Sequence, residues 1–368
     1  MKQLLKDIAI VGAGQGAPQG DSNYCDYGIP FVKAGNLQEL LEGKAITDIQ
    51  KVSEEVAEKH RLKLYSKGTI LFAKSGMSCM KGYVYVLPQN AYVVSHLACI
   101  TPKDDTSEYL RYYFKFHKPN QLVKDAAYPS ISLADIGNLE IDMKTDSERD
   151  KIASQLQHVE SVIALREHEL QKLDVLVKAR FVELFGDPEY NEKCWETHRL
   201  NQYLNVIGGY AFKSMLFKKE GIPVLRIGNI NAGIFKPVNM VYWVKDSKLK
   251  NYEIYPGDLV MSLTGTVEKN DYGNVCILDN SYPMYYLNQR NAKLEIFGEL
   301  NPAYLAELLK NSFVKKKLTG VSRGVRQANI ANKDILSLSV MIPPIELQNQ
   351  FSDFVKQVDK SKFTEVCI

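Results

Sequence analysis

The longest regular pattern of apolar and polar positions lies in the middle of the chain, between Asp146 and Phe185. This segment contains no glycine or proline, and its apolar side chains recur at alternating steps of four and three positions. Such a heptad-like stripe predicts a helix of about forty residues that packs against a partner helix, with a length of roughly 60 Å. The stripe consists of Ile152, Leu156, Val159, Ile163, Leu170, Leu173 and Val177, with Arg166 at the one polar seam position.

A second, shorter stripe follows Pro343 and Pro344 near the end of the chain. A proline pair suits the turn before a helix, and the helix dipole would stabilise Glu346 in the first turn. We expect this distal helix to run for at most about 20 residues and to pack antiparallel on the central helix. A homodimeric coiled coil is the alternative. The expected packing residues are Phe351, Phe354, Val355 and Val358.

Three sequence blocks occur twice in the chain, in the same order. The segment Gly28–Leu37 corresponds to Gly221–Ile230, with the Gly-Ile-Pro and Gly-Asn residues kept at a separation of 193 positions. The other two pairs are Tyr65–Leu71 with Tyr255–Val260 and Ser130–Ile136 with Asn329–Ile335. Three collinear matches predict tandem copies of one module.

Each copy is predicted to contain short strands and one amphipathic helix. Gly-Ile-Pro followed by β-branched residues is typical of a turn that opens a strand. The helices are expected at about Ser107–Phe116 and about Pro302–Leu318. The sequence therefore predicts an α+β fold, in which two similar, strand-rich α/β modules in tandem are separated by long α-helices packed as an antiparallel coiled coil.

Composition limits the possible functions without indicating one. Lys and Arg number 46 against 43 Asp and Glu, and the pI is about 8.3, so DNA binding is allowed but not indicated. The six cysteines form no C-x₂-C pair, which argues against a disulfide framework and a zinc site. No apolar run reaches the ~18 residues of a membrane helix, and the N-terminus lacks a signal-peptide core. We therefore expect a cytoplasmic protein.

The sequence contains no recognisable catalytic constellation. Gly12–Gly16 matches a nucleotide-binding loop only in part, because Ala17 replaces the third glycine of G-x-G-x-x-G. Ile342–Ile345 lacks the acidic and aromatic neighbours of an adenine methyltransferase motif, and Asp187–Glu189 fits a helix-ending turn better than a nuclease carboxylate cluster. We expect a protein that is not an enzyme. The alternatives are a single-chain DNA methyltransferase or nuclease with cryptic motifs, and a coiled-coil scaffold.

The order of module, long helix, module and second helix resembles the specificity subunits of type I restriction–modification systems. The resemblance covers the whole chain and depends most on Phe181–Pro188, the twin Gly-Ile-Pro blocks and Met341–Gln348. The implied segments are target-recognition domain 1 at 1–145, a central conserved spacer helix at 146–187, target-recognition domain 2 at 188–343 and a distal conserved helix at 344–368. The distal helix is shorter than the family pattern.

In that family each target-recognition domain recognises one half of a bipartite, asymmetric DNA site. The resemblance therefore implies double-stranded DNA as ligand, two methyltransferase (modification) subunits docked on the helices, and restriction/translocase subunits that cut DNA. S-adenosylmethionine, and ATP with Mg, are expected on those partner subunits, and this chain is expected to bind no cofactor and no metal. The short distal helix puts docking of the second methyltransferase subunit in question.

The residues expected to contact DNA lie in polar loops of both modules. Arg or Lys suits guanine, Asn or Gln suits adenine, and Lys, Ser, Thr and backbone amides suit phosphate. The first module offers Gln15, Gln19, Asn23, Lys74, Ser75, Lys81, Ser130 and Ser132. The second offers Lys213, Ser214, Thr264, Thr266, Lys269, Asn270, Arg290, Arg323, Arg326, Gln327 and Asn329. The segment 323–327 is the strongest candidate, because Gly324 permits close approach of the backbone to phosphate.

Overall fold

The computed structural model describes residues 2–230, 233–266, 271–320 and 327–364, without the side chains of residues 327, 363 and 364. The chain divides into two compact units, unit 1 at 1–165 and unit 2 at 166–368. Both units combine short strands with helices, which confirms the predicted mixed fold. Within the described ranges, no helix combines the length and the apolarity of a membrane span.

Unit 1 contains a four-stranded sheet, a three-stranded sheet and a separate two-stranded pair. Its strands are β1 (Lys2–Leu4), β2 (Ala9–Ala13), β3 (Ile29–Val32), β4 (Lys51–Val52), β5 (Ile70–Ala73), β6 (Tyr85–Val86), β7 (Tyr92–Val93), β8 (Leu97–Pro102) and β9 (Glu140–Asp142). Its short helices are α1 (Leu5–Ile8), α2 (Asn36–Leu41), α3 (Glu54–Lys59), α4 (Ser107–Phe116) and α5 (Leu133–Gly137). Strands β2-β8-β5-β6 form an antiparallel sheet in that order, β4-β3-β7 form a second sheet, and β1 pairs with β9.

The core of unit 1 lies between the four-stranded sheet and helix α4. Strand β5 is buried along its whole length, and Phe72 at its centre packs on Phe114 of α4 with ring centroids 5.3 Å apart. Phe114 and Leu110 are fully buried. Burying such side chains contributes about 1.5–3 kcal/mol each, so this layer positions α4 firmly against the sheet.

Unit 2 repeats this arrangement. Its strands are β10 (Thr197–Arg199), β11 (Leu204–Gly208), β12 (Ile222–Leu225), β13 (Val241–Trp243), β14 (Glu253–Ile254), β15 (Leu259–Ser262), β16 (Thr264–Thr266), β17 (Val275–Ile277), β18 (Tyr285–Leu287), β19 (Asn291–Ile296), β20 (Gln327–Asn329) and β21 (Ser339–Met341). Its sheets have the orders β11-β19-β15-β17 and β13-β12-β18-β14, with the pairs β10-β21 and β16-β20.

One predicted helix of unit 2 proved to be two. In place of a single helix over about 302–318, the structure has α7 (Pro302–Lys310) and α8 (Ser312–Thr319). Asn311 between them has an extended backbone (ψ 133°), which ends α7, and its side-chain Oδ1 accepts a 2.9 Å hydrogen bond from Phe313 N. An Asn cap of this kind starts a new helix. The last short helix of the module is α9 (Asn332–Ser337).

The two long helices lie in the predicted segments and have the predicted antiparallel direction. Helix α6 (Asp146–Phe185) begins in unit 1 and ends in unit 2, and α10 (Ile345–Thr364) packs on its second half. The Phe181 ring near the end of α6 meets Phe351 near the start of α10, with centroids 5.5 Å apart. Arg166 donates a 2.9 Å hydrogen bond to the carbonyl of Lys362 at the far end of α10. These contacts confirm the antiparallel pairing.

The apolar stripe of α6 is packed in one half only. In unit 2, Leu173 and Val177 join the core that contains α10. In unit 1, Leu156, Val159 and Ile163 are exposed, by 39%, 52% and 53%. The predicted seam therefore has a partner helix in unit 2, and no described residue of unit 1 provides one.

The first half of α6 is joined to unit 1 by an ionic cluster around Glu160. Its Oε2 accepts hydrogen bonds of 2.9 Å from Arg111 Nη2 and 2.8 Å from Tyr112 OH, and its Oε1 accepts one from Lys115 Nζ. Partial burial opposes ionisation, but the three donors outweigh it and lower the pKa of Glu160 to about 2. The cluster joins α6 to α4.

Candidate nucleic-acid interface

One edge of the four-stranded sheet in unit 1 brings several predicted DNA-binding residues together. Strands β2 and β5 end at the edge where β8 begins. Lys74 N donates to His96 O at 2.9 Å, and Ser95 N donates to Gln15 O at 2.8 Å. Ser75 forms a β-bridge with Ser130. We call this surface rim 1; its residues are Gln15, Lys74, Ser75, His96 and Ser130.

The corresponding edge in unit 2 has the same backbone connections. Leu263 N donates to Arg290 O at 2.8 Å, and Gln289 N donates to Tyr210 O at 2.9 Å. Thr264 pairs with Asn329 across β16 and β20. We call this surface rim 2; its residues are Tyr210, Thr264, Gln289, Arg290 and Asn329.

Two glycines explain why the rims have the same backbone. A Cβ on Gly14 would lie 2.1 Å from the carbonyl oxygen of Val93, and a Cβ on Gly209 would lie 2.2 Å from that of Asn288. Neither position can accept a side chain without backbone movement, so glycine permits the close approach that aligns the strand ends. The Gly12–Gly16 segment thus has a packing role in which Gly14 is the essential residue.

The side chains at equivalent rim positions differ. Ser75 Oγ and His96 Nδ1 are 2.8 Å apart, so one ring nitrogen of His96 is hydrogen-bonded to Ser75. In rim 2 the equivalent residues are Thr264 and Arg290. The Oγ1 of Thr264 is buried and has no hydrogen-bond partner within the described part of the chain, whereas Arg290 is exposed. The rims share a backbone and offer different hydrogen-bonding groups.

His96 is the rim residue that the sequence interpretation missed. It belongs to none of the repeated blocks or motifs of the sequence. Extending the repeat would have found it, because His96 and Arg290 each occupy the position directly before an equivalent strand, β8 or β19. Tyr210 was likewise outside the predicted set, whereas Gln289 adjoins the predicted Arg290 and was expected with it.

Other predicted residues of unit 1 already have structural roles. Gln15 Nε2 donates to Arg61 O at 2.7 Å, and Ser132 Oγ caps helix α5 by accepting from Asp135 N at 3.0 Å. Lys81 Nζ donates to Gln38 Oε1 at 3.0 Å. Gln19 and Asn23 lie in a separate loop, where Asn23 Nδ2 donates to Gln19 O at 2.6 Å.

The remaining predicted residues belong to unit 2. Lys213 and Ser214 are exposed in the loop after β11, and Thr266 follows Thr264 on β16. Four candidates, namely Lys269, Asn270, Arg323 and Arg326, lie outside the described residues. Gln327 pairs with Thr266 through the backbone, and its side chain is also outside the described part.

No group of three or more His, Cys, Asp or Glu within the described ranges could hold a metal ion. Burial raises the pKa of Cys99 and of Cys276 to about 12, so neither thiol is a nucleophile at neutral pH. The Ser75–His96 pair uses Nδ1, whereas a serine nucleophile of the triad type is activated through Nε2.

Comparison with known proteins gives a consistent result. The family model described as "Type I restriction modification DNA specificity domain" matches residues 2–175 and again residues 192–365. The specificity subunit of the type I restriction enzyme MjaIX from Methanocaldococcus jannaschii is 21% identical over 377 residues, which cover 96% of this chain and 85% of that protein. The specificity subunit of EcoAI from Escherichia coli is 27% identical over 177 residues, covering 46% of this chain and 30% of that protein.

Two solved structures share the fold. The type I restriction–modification S subunit from M. genitalium has a TM-score of 0.60 at 14% identity, with 98% of this chain and 90% of that chain covered. A structure titled for complex assembly and conformational transition of a type I restriction–modification system has a TM-score of 0.51 at 16% identity, with the same coverage.

Proposed function

Because this chain belongs to the type I restriction modification DNA specificity family, with one copy of the domain in each half, we propose that rim 1 and rim 2 each contact one half of its DNA site. The chain is the specificity subunit of a type I restriction–modification system. The observation that supports two separate contact surfaces is the repeat of the rim backbone with different side chains. An asymmetric, bipartite site follows from it.

The chemistry at the equivalent positions favours different bases in the two half-sites. The Arg290 guanidinium can donate two parallel hydrogen bonds, which matches O6 and N7 of guanine in the major groove. His96, with Nδ1 held by Ser75, has only Nε2 left for a base edge or a phosphate. Asn329 suits adenine, whereas the equivalent Ser130 is less selective.

Residues outside the rims would position the duplex through its phosphates. Lys213 and Ser214 are suited to this role in unit 2. In unit 1 the same role suits Lys74, which lies within rim 1. We retain Arg323 and Arg326 as candidates for the same half-site as Arg290, because their segment leads directly into β20, which pairs with Thr264. Contacts of this kind add affinity without sequence preference.

Catalysis is assigned to partner subunits. Methylation requires a subunit that flips the target base into its own pocket, and cleavage requires a restriction subunit with a translocase. We propose two methyltransferase subunits and restriction/translocase subunits as partners, with S-adenosylmethionine, and ATP with Mg, bound by them. S-adenosylmethionine binding by this chain alone would instead support a single-chain methyltransferase.

The test compares the two rims on one DNA site. The site is first identified by sequencing methylated DNA from cells that carry this chain and its partner methyltransferase. Mobility shifts of the assembled methyltransferase complex then use the intact duplex and duplexes with either half-site scrambled. We expect Arg290→Ala to weaken binding by about 10–100-fold, the loss of one bidentate base contact. For this variant, scrambling the half-site assigned to rim 2 should then lower the affinity little further.

His96→Ala should show the same behaviour for the other half-site, with a smaller loss. Arg199→Ala and His158→Ala are matched controls, because both residues are exposed and lie on elements, β10 and α6, that contribute no residue to either rim. If each rim variant lost the same affinity whichever half-site was scrambled, the assignment of one rim to one half-site would be wrong. A continuous palindromic methylated motif would contradict the bipartite site.

A further inference from the structure

Two large apolar side chains are exposed beside rim 1. Met77 is 71% exposed and Tyr128 is 82% exposed. Gly76 N donates a 3.0 Å hydrogen bond to Pro129 O, and these two residues directly adjoin Met77 and Tyr128 in the chain. A single exposed apolar residue is ordinary on a protein surface, so the significance of this pair depends on where it lies. We call Met77 and Tyr128 the apolar pair.

The same place in rim 2 has polar residues. Both members of the apolar pair lie two positions beyond the backbone pairing that begins each rim, Ser75 with Ser130 in unit 1 and Thr264 with Asn329 in unit 2. At that distance rim 2 has Thr266 and Gln327, which pair across β16 and β20. Threonine and glutamine recognise base edges by hydrogen bonding. Equivalent positions are therefore suited to polar contacts in one rim and to apolar contacts in the other.

The backbone that carries Met77 is anchored on both sides. Met77 is the first residue of the short 3₁₀ turn Met77–Lys81. Within this turn Cys79 is buried, and its N donates to Gly76 O at 2.9 Å. Asn120 Nδ2 donates to the carbonyl of Met80 at 3.0 Å. The exposure of Met77 is thus a property of an anchored turn at the edge of rim 1.

The DNA major groove offers one apolar group to such a pair. Every base pair presents hydrogen-bonding groups there, and only thymine adds a methyl group, at C5. The thioether of Met77 is flexible and polarisable, so it adapts its shape to an apolar contact. The Tyr128 ring supplies a large apolar face, and its hydroxyl is free to meet water or phosphate. A base without the methyl group would leave these side chains against a polar edge, which binds them less well.

We propose that Met77 and Tyr128 select thymine in the half-site bound by rim 1, through contact with its C5 methyl group. This inference rests on the proposed assignment of rim 1 to one half-site. It adds a second difference between the half-sites, because the equivalent positions of rim 2 select bases by hydrogen bonding. The half-site of rim 1 therefore contains a thymine whose methyl group contributes to affinity.

The test removes that methyl group alone. Each thymine of the identified site is replaced in turn by deoxyuridine, which keeps the base pair and lacks the C5 methyl, and mobility shifts of the assembled methyltransferase complex are measured. We expect one position, in the half-site that His96→Ala affects, at which deoxyuridine weakens binding about fourfold, the effect of exposing one methyl group. In the double variant Met77→Thr with Tyr128→Gln, which carries the rim 2 residues, the same replacement should have no effect.

Tyr190→Gln is the matched control for the loss of an exposed tyrosine. Tyr190 is 70% exposed and lies between α6 and β10, which contribute no residue to either rim. This variant should keep the full response to deoxyuridine. Circular dichroism of each variant verifies that the chain remains folded, and size-exclusion chromatography verifies that the methyltransferase remains bound.

Several results would overturn the proposal. They are a half-site without thymine on either strand, a native complex that responds at no thymine, and a double variant that keeps the response. Loss of the methyltransferase from the double variant would show a protein contact instead. A 2-aminopurine signal that the double variant abolishes, without a response to deoxyuridine, would show a wedge between bases.

The His96→Ala variant separates this proposal from the assignment of the rims. If His96→Ala affects one half-site and the double variant keeps its response to deoxyuridine, the thymine contact is wrong and the assignment of rim 1 stands. If neither variant distinguishes the half-sites, both are wrong.

Discussion

The ionic cluster around Glu160 leads to a quantitative prediction about unit 1. A shift in pKa from the ordinary 4.5 to about 2 would correspond to roughly 3 kcal/mol of stabilisation if fully transmitted. The Glu160 side chain is 37% exposed, so solvent screening reduces the expected contribution to about 1–2 kcal/mol. We expect Glu160→Gln to destabilise the contact between α4 and α6 by this amount at pH 7.

The pH dependence follows from the sign of the shift. Because the folded-state pKa is lowered, the stabilisation is complete above the unfolded-state pKa of about 4.5 and is lost as pH falls toward 2. The difference in thermal midpoint between the native chain and Glu160→Gln should therefore be constant above about pH 5 and vanish near pH 2.

Two measurements test this prediction. Hydrogen-exchange mass spectrometry at pH 7 should show faster exchange in peptides from α4 in the variant, and calorimetry between pH 2 and 7 gives the midpoints. Glu39→Gln is the control, since Glu39 forms a more exposed pair with Lys44 and should change stability by less than about 0.5 kcal/mol. A midpoint difference that persists unchanged down to pH 2 would refute the electrostatic explanation.

Two further predictions concern unit 2. Phe181→Ala removes a buried ring from the cluster with Tyr304 and should destabilise unit 2 by about 3–5 kcal/mol, measured by urea denaturation with Trp195 fluorescence. Trp195 is a suitable probe because its Nε1 donates to Phe185 O at 2.9 Å. Gly209→Ala places a Cβ 2.2 Å from a carbonyl oxygen, so in mobility shifts it should weaken recognition of the half-site assigned to Arg290 and leave the other unaffected.

The repeated blocks could be predicted from sequence because the turns that define them depend on local backbone geometry. Gly28 and Gly221 have φ of +96° and +128°, and a Cβ on either would lie 2.4 Å from a backbone oxygen. Only glycine tolerates both conditions, so the residue type itself marks the turn. The bounds of α6 could be predicted for a similar reason, since they depend on a long segment without glycine or proline.

What the sequence could not predict depends on contacts between distant residues. The heptad stripe is continuous from Ile152 to Val177, and its spacing contains no information on which half has a partner helix. The rims depend on hydrogen bonds between strand ends far apart in the chain, such as Lys74 with His96. The break between α7 and α8 at Asn311 could not be predicted, because the spacing of apolar residues continues across it.

The candidate residues fall into two groups that should respond differently to substitution. Gln15 and Ser132 hold loops through side-chain hydrogen bonds to the backbone, so changing them alters the shape of unit 1 along with any DNA contact. Arg290 and Lys213 are exposed, and the strand ends are aligned by Gly209 rather than by their side chains. Substitution at exposed rim positions can therefore change the bases recognised with little cost in stability, because the backbone that aligns the rim does not depend on them.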